Sequence, residues 1–246
     1  MCYQTRQIRT IKDLELRYNV TLSNPSYGPL FDQPAYHLNG FSHPNMLVIP
    51  QQKPEVIAPG IWGIVPSNKQ PEEIKAYYKE SIRYGSGLNA QSEKLFQHFI
   101  YKHSALTKRC IIPVNGFYEP HTVDKKKYPV FIHRDDDSIF SLAGIYTVIG
   151  KYITFTILTR EASPFFERIH NIKKRQPVLI SEKDEKLWLD DSLKQNDVLE
   201  IIGREFNDKQ LEAYTISKDL YRPQVDSNHD TIAEPKTYSE LDYTYL

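Results

Sequence analysis

Cysteine is scarce in this sequence, with two among 246 residues, Cys2 and Cys110. Two cysteines cannot build a disulfide framework or a four-cysteine zinc site, and so low a number is typical of a protein from a reducing compartment. Long hydrophobic runs are also missing. No stretch approaches the roughly 18 apolar residues of a membrane span, and the first residues carry charge where a signal peptide would be apolar. We therefore expect a cytoplasmic protein with no membrane partner.

The chain has no excess of charge of either sign, because 31 Lys and Arg residues balance 31 Asp and Glu residues. Any binding of nucleic acid must then depend on a local basic patch rather than on the net field of the protein. The two histidines of "AYHLNGFSHP" match no spacing of metal ligands, so we expect no metal and no other cofactor. Without a recognisable linker or repeat, the length favours one domain over 1–246 and a monomer, with a polar, irregular tail from about residue 221.

Consecutive strands dominate the middle of the sequence. β-Branched and aromatic residues are concentrated at 109–119, 128–134, 139–149 and 152–160, and shorter strands are predicted at 46–50, 61–66, 177–180 and 213–217. Helices are predicted at 11–18, 71–82, 92–103 and 192–203, with a helical turn at 163–169, a helix opened by Ser181, and a loop over 20–45. Strands that follow one another, with helices toward the ends, indicate the α+β class with a mostly antiparallel sheet.

The position of Cys2 offers a distinctive chemistry. Initiator methionine is normally removed before a small residue, and Cys2 would then carry a free α-amine next to its thiol. A 1,2-aminothiol condenses with an aldehyde to an imine and closes to a thiazolidine ring, and an α-amine with a pKa of about 8 is partly neutral at pH 7. The same pair resembles the nucleophile and base of N-terminal-nucleophile hydrolases. The alternative, which position alone favours, is a frayed terminus.

Three further polar residues are candidates for chemistry. Glu119 stands where an apolar strand of "PVNGFYEPH" stops, so partial burial would raise its pKa toward useful acid–base values, and Gly116 indicates a bulge or a close backbone approach. His170 lies in a basic segment that suits either phosphate binding or a solvated charge run, and a histidine there can act as an acid or a base. Asn89 precedes a helical segment, where a turn or capping role is the alternative.

Taken together, short motifs in a fixed order resemble the SOS response-associated peptidase (SRAP) family of abasic-site processing proteins. The motifs are the initial Met-Cys, FSHP, WGIVP, LNAQSE, RCIIPVNGFYEP, LAGIY, ILTREA, and IHN followed by QPVLI, and they are densest in 1–181. The resemblance implies a strongly curved, barrel-like sheet with peripheral helices. It also implies covalent capture of abasic sites in single-stranded DNA through a thiazolidine at Cys2, together with peptidase-type and lyase-type activity.

The resemblance also assigns roles to the other candidates. Asn89 would position Cys2 and the sugar. Glu119 would transfer protons at the amine and at the ring-opened hydroxyl, and it would take part in reversing the crosslink. His170 would donate a proton during ring opening or imine formation. The tentative DNA-binding residues are Gln4, Pro44, Gln91, Lys173 and Arg175.

Departures from the family pattern are concentrated at positions that contact DNA. Gln4 and Gln91 stand where the family usually has arginine, Ser67 and Asn68 where aromatic residues often follow the "WGIVP" proline, and Pro120 where it usually has tryptophan. Lost phosphate contacts weaken binding and its dependence on salt, and each lost stacking ring costs roughly 1–3 kcal/mol. Candidates to compensate are Arg6, Arg9, Arg83, Lys108, Arg109 and the basic residues at 173–175. The first alternative to abasic-site capture is a thiol peptidase or autoprocessing enzyme that uses Cys2 with His170 and Glu119. The second is a non-catalytic nucleic-acid-binding module, or a family member that has drifted away from DNA.

Overall fold

The computed structural model describes residues 2–243, and this range contains fourteen strands and seven α-helices. The strands are β1 Gln4–Gln7, β2 Thr21–Leu22, β3 Ala35–Asn39, β4 Asn45–Pro50, β5 Val56–Trp62, β6 Asn89–Gln91, β7 Arg109–Val114, β8 Gly116–Val123, β9 Lys126–Arg134, β10 Phe140–Ile149, β11 Tyr152–Glu161, β12 Arg175–Pro177, β13 Leu179–Ile180 and β14 Leu211–Thr215. The helices are α1 Ile11–Tyr18, α2 Gly28–Phe31, α3 Ile74–Ser81, α4 Tyr101–Thr107, α5 Pro164–Ile169, α6 Glu185–Trp188 and α7 Gln195–Gly203. No helix in this range is long and apolar enough to cross a bilayer.

Two sheets organise the fold. The first has the order β14-β9-β8-β1-β3, and all of its neighbouring pairs are antiparallel. The second runs β12-β11-β10-β7-β4-β5-β2, and a parallel pairing of β11 with β5 closes five of these strands into a ring. This confirms the predicted α+β class with a mostly antiparallel, barrel-like sheet and peripheral helices.

The core consists of two main apolar clusters on opposite faces of β7. Successive side chains of a strand point to opposite faces, so Ile111 packs in the cluster of Trp188 while Ile112 packs in the cluster of Trp62. The Trp62 cluster fills the space between the two sheets, and Cys2 is one of its members. The indole N–H of Trp62 donates to the carbonyl of Leu88 at 2.9 Å, and Trp62 is fully buried, so it is a core residue.

The secondary structure predicted from the sequence is confirmed where it depends on residues that are neighbours in the chain. Helix α1 has the predicted bounds, and its capping box joins Thr10 and Asp13. The predicted strand over 109–119 is instead two strands separated by Asn115, and the predicted helix over 92–103 is wrong because its α-helical part begins only at Tyr101. The predicted loop over 20–45 contains β3.

The C-terminal segment is irregular but packed. Beyond β14 it makes 3₁₀ turns at Lys218–Tyr221 and Asp230–Ala233, and Ile232 and Ala233 pack against Tyr118 and Phe131 of the first sheet. The segment predicted to be a polar, irregular tail therefore packs against the first sheet.

Arg109, predicted above as a possible DNA contact, is a core residue, and that expectation is wrong. Its guanidinium is buried and donates to the carbonyls of Ala105, Leu106, Trp188 and Asp190, which lie at the ends of α4 and α6. These are carbonyls that helix ends leave without intrahelical partners.

We expect Arg109→Lys to destabilise the protein by about 2–4 kcal/mol, because an ammonium cannot reach four diverging carbonyls and leaves some of them buried without donors. Urea denaturation measures the loss. Arg83→Lys is the matched control, since Arg83 is exposed and its replacement should change the free energy of unfolding by less than about 0.5 kcal/mol. Equal stabilities of the two variants would contradict the structural role of Arg109.

Candidate active site

Strand β1 brings the start of the chain into the core. It lies between β8 and β3, with Thr5 opposite Phe117 and Gln4 opposite Asn39, and the amide of Gly40 donates to the carbonyl of Tyr3 at 2.8 Å. These pairings leave Cys2 with no exposed surface. A buried, hydrogen-bonded segment is not a frayed terminus, so that alternative for Cys2 is wrong.

The thiol of Cys2 is held in its neutral form. Its Sγ donates to the carbonyl of Gln4 at 3.8 Å. Burial raises the pKa of the thiol well above 9.0, and the negative charge of Glu119 raises it further. A thiol in this state needs a base, or an electrophile that has already been activated, before it reacts.

Glu119 and His170 form a buried pair beside this thiol. The Nε2 of His170 lies 3.6 Å from a carboxylate oxygen of Glu119, and both side chains are almost fully buried. Burial raises the pKa of Glu119 to about 7. Burial, with smaller contributions from the charges of Lys173 and Lys127, lowers the pKa of His170 to about 4. Near neutral pH, His170 is therefore uncharged and Glu119 exchanges between its two protonation states.

Backbone contacts fix the pair in place. Glu119 is on β8, opposite Val130 of β9, and the predicted close approach at Gly116 is confirmed, since a Cβ there would lie 2.4 Å from the ring of Phe131. His170 follows α5 directly, and the side-chain amide of Asn171 exchanges two hydrogen bonds with the backbone of Thr122 on β8, at 2.8 and 3.0 Å. The loop that carries His170 is thus tied to the strand that carries Glu119.

Asn89 lies on β6, opposite Ile157 of β11, rather than in a turn or at a helix cap. The preceding residue, Leu88, packs in the same apolar cluster as Cys2. Both polar atoms of the Asn89 amide are buried and have no hydrogen-bond partner within residues 2–243. Buried amides are nearly always satisfied, so this one is available to a ligand.

A family model described as SOS response associated peptidase (SRAP) matches residues 1–223. The chain belongs to the SRAP family. It is 30% identical over 174 residues to the abasic site processing protein YobE of Bacillus subtilis (strain 168), with 68% of this chain and 74% of that protein covered. The abasic site processing protein HMCES of Gallus gallus is 29% identical over 157 residues, which cover 52% of this chain and 44% of that protein. A crystal structure of a protein from Bacteroides thetaiotaomicron matches with a TM-score of 0.83 at 25% identity, over 96% of this chain and 100% of that one.

The structure separates the tentative DNA-binding residues of this SRAP chain into different environments. Lys173 is exposed close to His170, whereas Gln4, Pro44 and Gln91 are half-buried. Arg175 forms a bidentate ion pair with Glu93, at 2.7 and 3.0 Å, and also donates to the carbonyl of Thr159. Its guanidinium is therefore occupied within the fold.

Two residues near the SRAP site were not identified from the sequence. Lys127, in the β8–β9 hairpin, is close enough to His170 to lower its pKa, and its only sequence signal is a short lysine run. Partial burial raises the pKa of Tyr221, the charge of Glu119 is a second cause of that rise, and the residue lies in the segment predicted to be an irregular tail. No group of three or more His, Cys, Asp or Glu side chains within 2–243 is arranged to hold a metal ion.

Replacing Glu119 should change how the free energy of unfolding depends on pH. The pKa of Glu119 is about 7 in the fold, against 4.5 for an ordinary glutamate, so its favourable contribution is complete below pH 4.5 and is lost as the pH rises through 7. His170 acts oppositely, with a contribution that is present above pH 6.5 and is lost as the pH falls toward 4. Glutamine cannot ionise, so the unfolding free energy of Glu119→Gln minus that of wild type should grow by about 3 kcal/mol between pH 4.5 and 8.

Urea denaturation at a series of pH values measures this difference. Glu167→Gln serves as the control, because Glu167 is on α5 near His170 but is largely exposed and pairs only with Lys174, at 3.5 Å. The free energy of unfolding of Glu167→Gln minus that of wild type should stay constant across this pH range. A flat difference for Glu119→Gln as well would contradict a raised pKa at Glu119.

Proposed function

We propose that this SRAP protein captures abasic sites in single-stranded DNA by forming a thiazolidine between Cys2 and the ring-opened deoxyribose. The observation that carries the proposal is the burial of Cys2 next to Glu119, which itself lies 3.6 Å from His170. The name shared by the curated relatives, abasic site processing protein, supports the same substrate.

The reaction begins when removal of Met1 converts the backbone nitrogen of Cys2 into a primary amine. This amine attacks C1′ of the open-chain sugar, and the carbinolamine loses its hydroxyl as water to leave an imine. Sγ of Cys2 then adds to the imine carbon, and the thiol proton passes to the nitrogen. One C–N bond and one C–S bond form, and one water leaves. Because the thiol is held neutral, it reacts second, after the imine has supplied a strong electrophile.

Glu119 is suited to both proton transfers of this sequence. A carboxyl with a pKa of about 7 takes a proton from the attacking amine and returns one to the departing hydroxyl, which is the efficient range for acid–base catalysis at neutral pH. His170, with its pKa lowered to about 4, is uncharged, and its Nε2 lies 3.6 Å from Glu119, a position from which a small movement lets it exchange protons with that carboxylate. The proton-donor role that the resemblance gives to His170 is therefore assigned to the pair, with Glu119 as the source.

A raised thiol pKa weighs against the thiol-peptidase alternative. Cysteine peptidases attack with a thiolate, and their cysteines have depressed pKa values set by neighbouring cations or helix N-termini. Burial and the charge of Glu119 act on Cys2 in the opposite direction. We therefore rank peptide cleavage below aldehyde capture as the main activity of this site.

Lys127 and Lys173 are the cations best placed to bind DNA phosphates near the site, since both are exposed and both act electrostatically on His170. Replacing either with glutamine should weaken binding of single-stranded DNA at all sequences. It should also reduce the slope of log K against log salt by about 0.7.

Fluorescence anisotropy with an oligonucleotide that carries an unreactive tetrahydrofuran abasic analogue measures these slopes. Lys53→Gln, at an exposed turn between β4 and β5, is the matched control and should keep the wild-type slope. A nearly flat slope for the wild-type protein would instead favour a family member that has drifted away from DNA.

A denaturing gel tests the proposal. Methionine-free protein is mixed with single-stranded DNA containing one abasic site, and a second sample contains the tetrahydrofuran analogue, which has no aldehyde. A shifted band that survives heating in detergent is expected with the first DNA alone. Absence of that band, under conditions in which a positive-control protein forms a crosslink, rejects the proposal.

A further inference from the structure

A small cavity opens beside the Cys2 site and is used by none of the steps above. Its volume is about 390 Å³, and it lies between the β1–β3 edge of the first sheet and the C-terminal segment that follows β14. Gln4 and His37 line it from the sheet, and Tyr221, Asp226 and Ser227 line it from the C-terminal segment. The volume is at the lower end of the range of ligand cavities, about 300–1,000 Å³, so it suits one small planar group.

Two residues of the cavity wall are also related to the reactive centre. Gln4 lines the cavity, and its carbonyl accepts the hydrogen bond from Sγ of Cys2. On the opposite wall, partial burial raises the pKa of Tyr221, and the charge of Glu119 is a second, smaller cause of that rise. A nucleotide attached to the captured sugar is therefore within reach of this space.

Two residues that line the cavity each have a buried polar atom that lacks a hydrogen-bond partner within residues 2–243. These atoms are Oε1 of Gln4 and Nε2 of His37. The other ring nitrogen of His37 is fixed by the hydroxyl of Ser227 at 2.6 Å, so the orientation of the imidazole is set. Buried polar atoms without partners cost free energy, and a ligand that brings a hydrogen-bonding edge removes that cost.

The charges around the cavity favour a neutral ligand over a phosphate. Burial lowers the pKa of His37 to about 4, so its ring is uncharged near neutral pH. The one guanidinium on the wall, that of Arg222, is paired with Asp219 at 3.0 Å, and Asp226 adds a carboxylate to the lining. A phosphate would meet this carboxylate without a free cation to offset it.

An exposed aromatic ring stands at the rim. Phe41 is 57% exposed and contacts Tyr3 in a tilted arrangement with ring centroids 4.8 Å apart, while the nearby residues Asn39 and Ser42 line the cavity. Unstacked bases bind to such rings at roughly 1–3 kcal/mol each. An exposed ring beside a polar cavity whose charges disfavour a phosphate suits a base that has left the stack.

We propose that this cavity is a subsite for the nucleobase on one side of the abasic site, with Gln4 and His37 reading the edge of the base and Phe41 at its rim. The inference rests on the proposed function, since it assumes DNA at Cys2. It predicts that capture depends on the neighbouring base, on one side of the lesion only.

The experiment uses wild-type, methionine-free protein and oligonucleotides that vary a single neighbour of the abasic site. That neighbour is a natural base, a nonpolar isostere of the same shape, or a tetrahydrofuran spacer, placed in turn on the 5′ and the 3′ side. The crosslinking rate at subsaturating protein should fall about tenfold from natural base to isostere on one side, as expected for the loss of one or two hydrogen bonds, and further with the spacer. On the other side the rate should change by less than about twofold.

Gln4→Met is the companion variant, because methionine keeps the length of the side chain and removes the carbonyl. It should crosslink natural and isosteric neighbours at nearly equal rates, whereas Gln195→Met, at an exposed position, should discriminate as wild type does. Equal wild-type rates for base and isostere on both sides, or equal discrimination on both sides, would overturn the subsite while leaving capture at Cys2 intact. Absence of a crosslink with every oligonucleotide would instead reject the proposed function.

Discussion

Cys2→Ala should abolish the stable protein–DNA adduct. Alanine at position 2 still allows removal of Met1 and leaves an α-amine, so an imine with the sugar can form, but no sulfur is present to close the ring. The imine hydrolyses during denaturing electrophoresis, and we expect the adduct to fall below detection, a loss of at least about a hundredfold. Adding borohydride during the reaction should recover part of the band by reducing the imine.

Cys110→Ala is the matched control for the loss of a thiol. Cys110 is the other cysteine of the chain, buried on β7 in the same apolar cluster, and the proposed reaction does not use it. It should form the adduct at close to the wild-type rate. A stable adduct with Cys2→Ala in the absence of a reductant would show that the bond to DNA is made elsewhere.

Glu119→Gln should slow capture by about 10²–10⁴-fold, the usual contribution of a positioned acid–base group. Glutamine keeps the shape of the side chain but cannot take the amine proton or protonate the departing hydroxyl. The wild-type rate should change with pH around 7, where Glu119 titrates, and the variant should lose that inflection. Rates come from quenched single-turnover reactions at about pH 5.5–8.5.

The pH profile distinguishes acid–base chemistry from a merely structural effect. Glu167→Gln, on the neighbouring helix α5, should keep both the rate and the inflection. Because the stability of Glu119→Gln relative to wild type is expected to increase with pH, a rate defect caused by unfolding would shrink toward high pH, whereas one caused by lost acid–base chemistry would not. A variant that reacts at the wild-type rate with an unchanged profile would remove Glu119 from the mechanism.

The sequence predicts the class of the fold well because its strands are long and rich in β-branched residues. It misses β1, β3 and β6, which have three to five residues each. Strands that short have no detectable periodicity, and their place depends on pairing with distant partners, such as Thr5 with Phe117. The predicted helix over 92–103 fails for a similar reason, since buried Leu95 and exposed Phe99 satisfy a helical pattern that the backbone does not follow.

The candidate site is predictable by residue type and family motif but not by geometry. Nothing local indicates that Cys2, Glu119 and His170 meet, because the contact depends on β1 lying beside β8 and on Asn171 tying the His170 loop to that strand. Burial, which sets both pKa values, is a property of the assembled core. For the same reason the sequence places Arg109 among possible DNA contacts, whereas the fold uses its guanidinium to satisfy four carbonyls in the interior.

The intact mass of wild-type protein after exposure to abasic single-stranded DNA tests the central claim most directly. A thiazolidine at Cys2 requires a species whose mass is that of the chain without Met1 plus the oligonucleotide, minus one water. Peptide mapping should then place the added mass on the N-terminal peptide. A protein mass unchanged by the DNA, or an adduct that still contains Met1, would contradict the account.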